Sequence, residues 1–212
     1  MSEPWSSRAA MYVDSDAHRD GPDLELIAEW AAGAATALDV ATGGGHVAKR
    51  LRQEGISVVT CDPAPGMNPD VVCRAEDLPF DDASFGVVAC RVAAHHFADV
   101  EKAVGEMARV TRDRLLIADT QFMGEDVEEA EKLRDPTHVR NYTEAEWRAM
   151  LDAAGLSVED VRVTAKPMDR QAWLDRTGTT GETAERAIAL LGDRITDEGI
   201  VFDRIVIRAT KH

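Results

Sequence analysis

Two acids bracket a run of glycines in the first third of the chain: Asp39, then Gly43, Gly44 and Gly45, then Asp62. The glycines follow a short apolar run, TALDVA, and precede VAKRLRQEG, which has helical spacing. A strand that feeds a glycine turn and a helix lets backbone N–H groups approach a nucleotide-like ligand closely. An acid closing the next strand, ISVVTCD, would accept hydrogen bonds from ribose hydroxyls. A dinucleotide turn has the form G-x-G-x-x-G, but here position 48 is Ala. Asp39 before the turn would repel a pyrophosphate and pair with an ammonium group. S-adenosylmethionine carries an ammonium and no phosphate, so these residues favour the sulfonium cofactor.

A second group of chemically capable residues follows. Ala94-His95-His96-Phe97 comes after the fourth strand-like run, where open α/β folds place their ligands. Arg91, just before it, either serves a ligand carboxylate or is structural. The stretch Asp135-Pro136-Thr137-His138-Val139-Arg140-Asn141-Tyr142 has high polar density, and loops above a rigid sheet commonly carry function. His96 and His138 have the intrinsic pKa of a general base, and Arg140 suits an anchor. The competing account of this loop is an ion pair from Asp135 to Arg140 that joins two helices. Tyr12, Asp14 and His18 would supply a lid, unless Tyr12 only packs.

The elements that must position these groups alternate. DLELIAEWAAG is helical; SFGVVACRV and RLLIADT read as strands on either side of ADVEKAVGEMARV, a helix with Asp99 as N-cap. VVCRAEDLPF is expected to be a further strand. Alternation of this kind implies a parallel sheet with right-handed crossovers. Thr143 and Glu146 form a capping box for the next helix. LSVEDVRVTA and IVFDRIVIRATKH are the last strands, separated by two helical segments. The expected fold is α/β: a Rossmann-like, doubly wound sheet in three layers, mostly parallel, with an antiparallel C-terminal edge strand. One domain spans 1–212, with lid helices in 1–33 and a substrate-side helical segment in 121–155. Between Asp62 and Asp70 lies only PAPGMNP, whose three prolines and glycine predict a compact loop in place of a crossover helix.

Composition narrows the partners. The formal charge is −15, which disfavours phosphate backbones and anionic lipid. The start is not ordered like a signal peptide, and no apolar run reaches the roughly 20 residues of a membrane span. Cys61, Cys73 and Cys90 form neither a disulfide framework nor metal spacing, so reduced thiols and a cytoplasmic location are expected, with no metal. The expected partner is a small-molecule substrate, not nucleic acid or a membrane. A homodimer is compatible with the chain, but its residues do not fix the oligomeric state.

Roughly residues 10–160 resemble the class I S-adenosylmethionine-dependent methyltransferases, in particular the branch similar to ubiquinone and menaquinone biosynthesis enzymes. The first motif is matched by Asp39, Gly43 and Gly45, with Ala41 in place of the first glycine; the second is Asp62. The third is Arg74-Ala75-Glu76-Asp77-Leu78-Pro79-Phe80, followed by Asp82-Ala83-Ser84-Phe85-Gly86-Val87-Val88. The resemblance implies methyl transfer, S-adenosylmethionine as cofactor, and adenine held near Ala75 and Glu76. The candidate cofactor set is then Tyr12, Asp39, Ala41, Gly43, Gly45, Asp62, Ala75, Glu76 and Arg91, with His96, His138 and Arg140 on the catalytic side. Arg74 stands where an acid often meets the adenine amine, and the short 63–69 segment lacks a wall helix. Those departures would suit a cofactor-binding protein without transfer. An enzyme using the sulfonium charge for cyclisation or rearrangement would carry the same motifs. A dinucleotide oxidoreductase is disfavoured by Asp39 and the LPF block.

Overall fold

The computed structural model describes residues 5–6 and 16–211. Helix α1 (Pro22–Ala31) leads into β1 (Thr36–Val40), and α2 (His46–Gln53) connects it to β2 (Ser57–Asp62). A two-residue β3 (Val71–Val72) comes before β4 (Phe85–Arg91), α3 (Val100–Val110) and β5 (Thr111–Thr120). Then come α4 (Glu125–Arg134), α5 (Glu144–Ala153) and β6 (Leu156–Met168). The chain closes with α6 (Arg170–Asp175), α7 (Gly181–Leu191), β7 (Ile195–Thr196) and β8 (Gly199–Lys211). The sheet order is β3-β2-β1-β4-β5-β8-β6, with β7 paired to β8. The first five strands run parallel. The antiparallel strand is β8, which lies between β5 and β6, so that β6 takes the outer edge.

Two apolar layers sandwich the sheet. On one face Leu24, Ile27 and Trp30 of α1 and Val47 and Leu51 of α2 meet Ala37, Val58, Val87 and Leu116. On the other, Val104 and Met107 of α3 and Trp147 and Leu151 of α5 meet Leu38, Val40, Val88, Leu115 and Ile117. Alternate residues of β1 and of β4 therefore serve opposite layers, as the two-residue period of a strand requires. In α3 the buried positions Val100, Ala103, Val104, Met107 and Ala108 follow helical spacing, and Asp99 accepts a bond from the Lys102 N–H at 3.0 Å. The Thr143–Glu146 capping box of α5 is complete.

Strands β6 and β8 pair as far as Met168 with Ile200, well past the point where β8 leaves β5 at Thr120 with Arg204. Their extension carries a third apolar cluster, in which Trp173, Ala187 and Leu191 pack on Val127, Ala130 and Phe202. A helical cap is thereby built beside the C-terminal ends of the parallel strands.

The compact 63–69 connection is present: one 3-10 turn, Pro65–Met67, is all it contains. Asp70 holds it together. Its Oδ2 accepts from the N–H and hydroxyl of Thr60 at 2.9 and 2.8 Å, and its own N–H donates back to the Thr60 hydroxyl. The expected strand VVCRAEDLPF is reduced to Val71–Val72. Beyond it the chain turns sharply, with the Asp77 N–H donating to the Arg74 carbonyl. Side chains of α3 then fix the block: Glu106 accepts from the Leu78 N–H, and Arg109 donates to the Leu78 and Phe80 carbonyls. Backbone groups satisfied by charged side chains need no ladder partner, which is why a β-rich sequence reads as a strand here and folds as a loop.

Candidate active site

A cleft of about 590 Å³ opens over the C-terminal ends of β1, β2 and β4. Its floor is the glycine turn. Gly43 and Gly45 have φ of +50° and +75°, and a Cβ on either would have no neighbour nearer than 4.0 Å, so the backbone faces open space. Ala41 and Val92, at the ends of β1 and β4, also sit in the left-handed region with φ of 54°. For Val92, a β-branched residue, this is unfavourable, and backbone strain of this kind gathers at binding sites. Both residues line the cleft.

Asp39 is buried below the turn. Its Oδ2 accepts from the Thr42 hydroxyl at 2.6 Å and the Ala48 N–H at 3.0 Å, while Oδ1 carries neither bond. Burial pushes its pKa up to about 6, against the pull of the Thr42 and Ala48 bonds. Asp62 accepts from the Gly43 N–H at 3.0 Å through Oδ2 and from the Ala64 N–H at 2.9 Å through Oδ1. Each of its oxygens retains a lone pair, and burial raises its pKa too. Ala75 and Glu76 form part of the far wall. The Glu76 Oε1 is engaged by Arg74 at 3.0 Å and by the Ala98 N–H at 3.1 Å, which ties this wall to the turn before α3. Pro63 and Met67 of the short connection complete that side.

The histidines form a cluster. His95 is buried and its Nδ1 lies 2.6 Å from Asp119 Oδ1, while its backbone N–H donates to Asp119 Oδ2 at 3.0 Å. Burial lowers the His95 pKa, but the Asp119 charge and hydrogen bond more than reverse this and leave it raised. His96 Nδ1 lies 3.0 Å from the Thr137 carbonyl, which can only accept, so that nitrogen carries the proton and Nε2 keeps its lone pair. Burial and the neighbouring His95 bring the His96 pKa down to about 3, so the ring is neutral at physiological pH. The Trp5 ring meets it edge-on at 4.6 Å between centroids.

The 135–142 loop closes the cleft. Pro136, Thr137, His138 and Val139 all line it. The loop is pinned from below because the N–H groups of Val139 and Arg140 both donate to the His95 carbonyl.

Comparison with known proteins decides the family. A methyltransferase-domain family model matches residues 38–117. An uncharacterized methyltransferase, YcgJ of Bacillus subtilis, is 35% identical, with 89% of this chain and 84% of that protein covered. The chain belongs to the S-adenosylmethionine-dependent methyltransferases. The crystal structure of YcgJ superposes with a TM-score of 0.78, covering 90% of this chain and 98% of the other at 29% identity. A demethylmenaquinone methyltransferase from Beutenbergia cavernae is 35% identical over a shorter stretch, 39% of each chain.

The residues present suit the cofactor of this methyltransferase family. The glycine turn leaves open backbone, Asp62 keeps free lone pairs at the end of β2, and Asp39 has no ion-pair partner among the described residues. Three expectations need correction. Arg91 does not offer itself to a ligand carboxylate: its Nε and Nη2 grip both oxygens of buried Asp23 at 2.6 and 3.1 Å, and its Nη1 donates to the His18 carbonyl at 2.7 Å. It fastens the segment before α1 to the cleft wall. Arg140 lies outside the cleft in an exposed ion pair with Glu146 and over the Tyr142 ring. His138 borders the cleft, but its side chain is sealed, with Nε2 2.9 Å from Glu128 Oε1. Tyr12 and Asp14 lie outside the described residues, whereas His18 does line the cleft.

Sequence reading missed Asp119 and the contribution of Trp5. Asp119 ends the RLLIADT strand level with the His95 turn, and an acid at a parallel strand's C-terminal end was the available signal. Trp5 carried none.

Proposed function

We propose that this enzyme methylates a small molecule, with His96 Nε2 receiving the acceptor's proton. Bound S-adenosylmethionine supplies an electrophilic methyl group on a cationic sulfur. The protein's share of an in-line displacement is to align the partners and exclude water. The observation that carries the reading is the 3.0 Å approach of His96 Nδ1 to the Thr137 carbonyl. Thr137 holds the proton on Nδ1, which leaves the lone pair on Nε2 of a ring that lines the cleft, and the depressed pKa keeps it unprotonated. A weak base suffices, because the oxonium formed when a hydroxyl attacks is a much stronger acid than an imidazolium. His95, held by Asp119, is the rigid post on which the 135–142 loop and hence Thr137 are hung. His138 and Glu128 hold that loop from the other side.

A low-mass acceptor is supported by the cleft's dimensions, within the 300–1,000 Å³ usual for small ligands, and by a net charge of −15 that opposes nucleic acid. The test is His96→Phe, which preserves a flat ring without a lone pair. Turnover should fall by roughly 10²–10⁴-fold while affinity for S-adenosylhomocysteine stays within about two-fold. Undiminished turnover would remove His96 from the proton's path.

A further inference from the structure

Behind the histidines lies a second, smaller cavity of about 40 Å³ that shares His18, Val92 and His96 with the main cleft. Its lining includes the guanidinium groups of Arg134 and Arg204 and the carboxylate of Glu131. Glu131 is already engaged, its Oε2 accepting from the Asn141 side-chain amide. Arg204 donates to Asp23 at 2.9 Å, but that carboxylate is also held by Arg91, so two guanidinium groups share one negative charge. Arg134 forms an ion pair with Asp135 Oδ2 at 3.7 Å, too long for a hydrogen bond, while Asp135 Oδ1 accepts from Thr137.

The Nε atoms of Arg134 and Arg204 are buried and have no hydrogen-bond partner among the described residues. Leaving a buried charged donor unpaired is costly, and such groups are ordinarily matched by an acceptor. Both side chains are rigidly placed. Arg134 lies over the Trp173 ring at 4.9 Å and donates to the Trp173 carbonyl, while Arg204 is fixed by Asp23.

We propose that this cavity receives a carboxylate of the methyl acceptor between Arg134 and Arg204, with the acceptor's nucleophile then lying against His96. The inference deepens the methyl-transfer reading above and rests on it. A carboxylate is favoured over a phosphate on size. One water needs about 10–15 Å³ of such volume, so the cavity holds about three heavy atoms, the number in a carboxylate group and short of the five in a phosphate. Planar, forked guanidinium groups also match a carboxylate in geometry. Because His96 borders both spaces, an acid anchored here lies next to the cofactor cleft.

The experiment begins with the protein saturated with S-adenosylhomocysteine, a step that itself checks the underlying reading. Benzoate and benzamide, alike in shape and different in charge, are then titrated by calorimetry. Benzoate should bind at least about ten-fold more tightly, the scale of a charge-assisted pair. Arg134→Gln should abolish that preference without changing the affinity for S-adenosylhomocysteine. Arg204→Lys keeps a charge but loses the fork and Nε–H, and should weaken the preference; it gives a second reading if Arg134→Gln does not fold. Equal binding of the two probes, or binding of neither, overturns the carboxylate site and leaves methyl transfer standing. Benzoate displaced by S-adenosylhomocysteine also overturns it, since the anion would then occupy the cofactor's own place. Failure to bind S-adenosylhomocysteine removes the methyl-transfer reading, and this proposal with it. Tighter binding of phenyl phosphate than of benzoate would overturn the choice of carboxylate.

Discussion

The charge on Asp39 couples cofactor binding to pH. Burial moves its pKa from an ordinary 3.8 to about 6 in the free protein. Its ionised form is therefore disfavoured by about 3 kcal/mol, and a cation brought into the cleft would relieve that penalty. The amino group of the cofactor is such a cation. If it pairs with Asp39 Oδ1 and returns the pKa to 4 or below, ligand binding releases a proton at pH values under 6. Affinity for S-adenosylhomocysteine should then rise roughly ten-fold from pH 5 to pH 8, with most of the change below pH 7. Asp39→Asn removes the titration and keeps an acceptor for the Ala48 N–H, so its affinity should be nearly flat over the same range. The sign in folding is fixed by the same shift. A carboxyl whose folded pKa is raised is most favourable below its unfolded value, so the ligand-free protein loses up to about 3 kcal/mol of stability as pH climbs from 4 through 6. Calorimetry in buffers of different ionisation enthalpy measures the released proton directly. Affinity independent of pH in the wild-type protein, or a slope that survives in Asp39→Asn, would refute the pairing.

Other consequences follow from the same geometry. Asp62→Ala should weaken S-adenosylhomocysteine by roughly 1.5–3 kcal/mol, read as a dissociation constant on protein whose circular dichroism is unchanged. Asp23→Ala would leave Arg91 and Arg204 buried without their shared carboxylate, and should cost about 3–5 kcal/mol in chemical denaturation. Burial opposes the ionisation of Asp23, but Arg204 and Arg91 still hold its pKa down to about 2. Its contribution is therefore present above pH 4 and fades as pH falls through 2, which acid unfolding of wild type against Asp23→Asn would show. Arg140→Ala should change stability by under about 1 kcal/mol and leave turnover intact, whereas His138→Ala should lower the melting temperature by unseating the loop from Glu128.

Much of this was legible in the chain. Alternating apolar runs, glycine stops and the Asp99 and Thr143–Glu146 caps are local signals, and the elements they mark are the ones observed. The prolines of the 63–69 segment also acted locally, by removing donors and fixing φ. What local signals could not show was how charged side chains pair across the fold. Arg91 and Asp23 are 68 positions apart, and nothing in either neighbourhood reveals that the arginine is already occupied. The same is true of Asp119 with His95, and of Leu78 and Phe80, whose β-like stretch is held as a loop by Glu106 and Arg109 of another element. Sequence order placed Arg140 next to His138, yet one residue of the loop lines the cleft and the other faces outward.

The central claim is methyl transfer to a low-mass acceptor aligned by His96. It is tested most directly by incubating the protein with S-adenosylmethionine labelled in the methyl group and a fractionated metabolite extract, then following the label by mass spectrometry. Label is expected in one or a few small molecules, enriched in carboxylic acids, and should be lost with His96→Phe although that variant still binds S-adenosylhomocysteine. Label appearing only in protein or nucleic acid, or the same small-molecule product formed at full rate by His96→Phe, would contradict it.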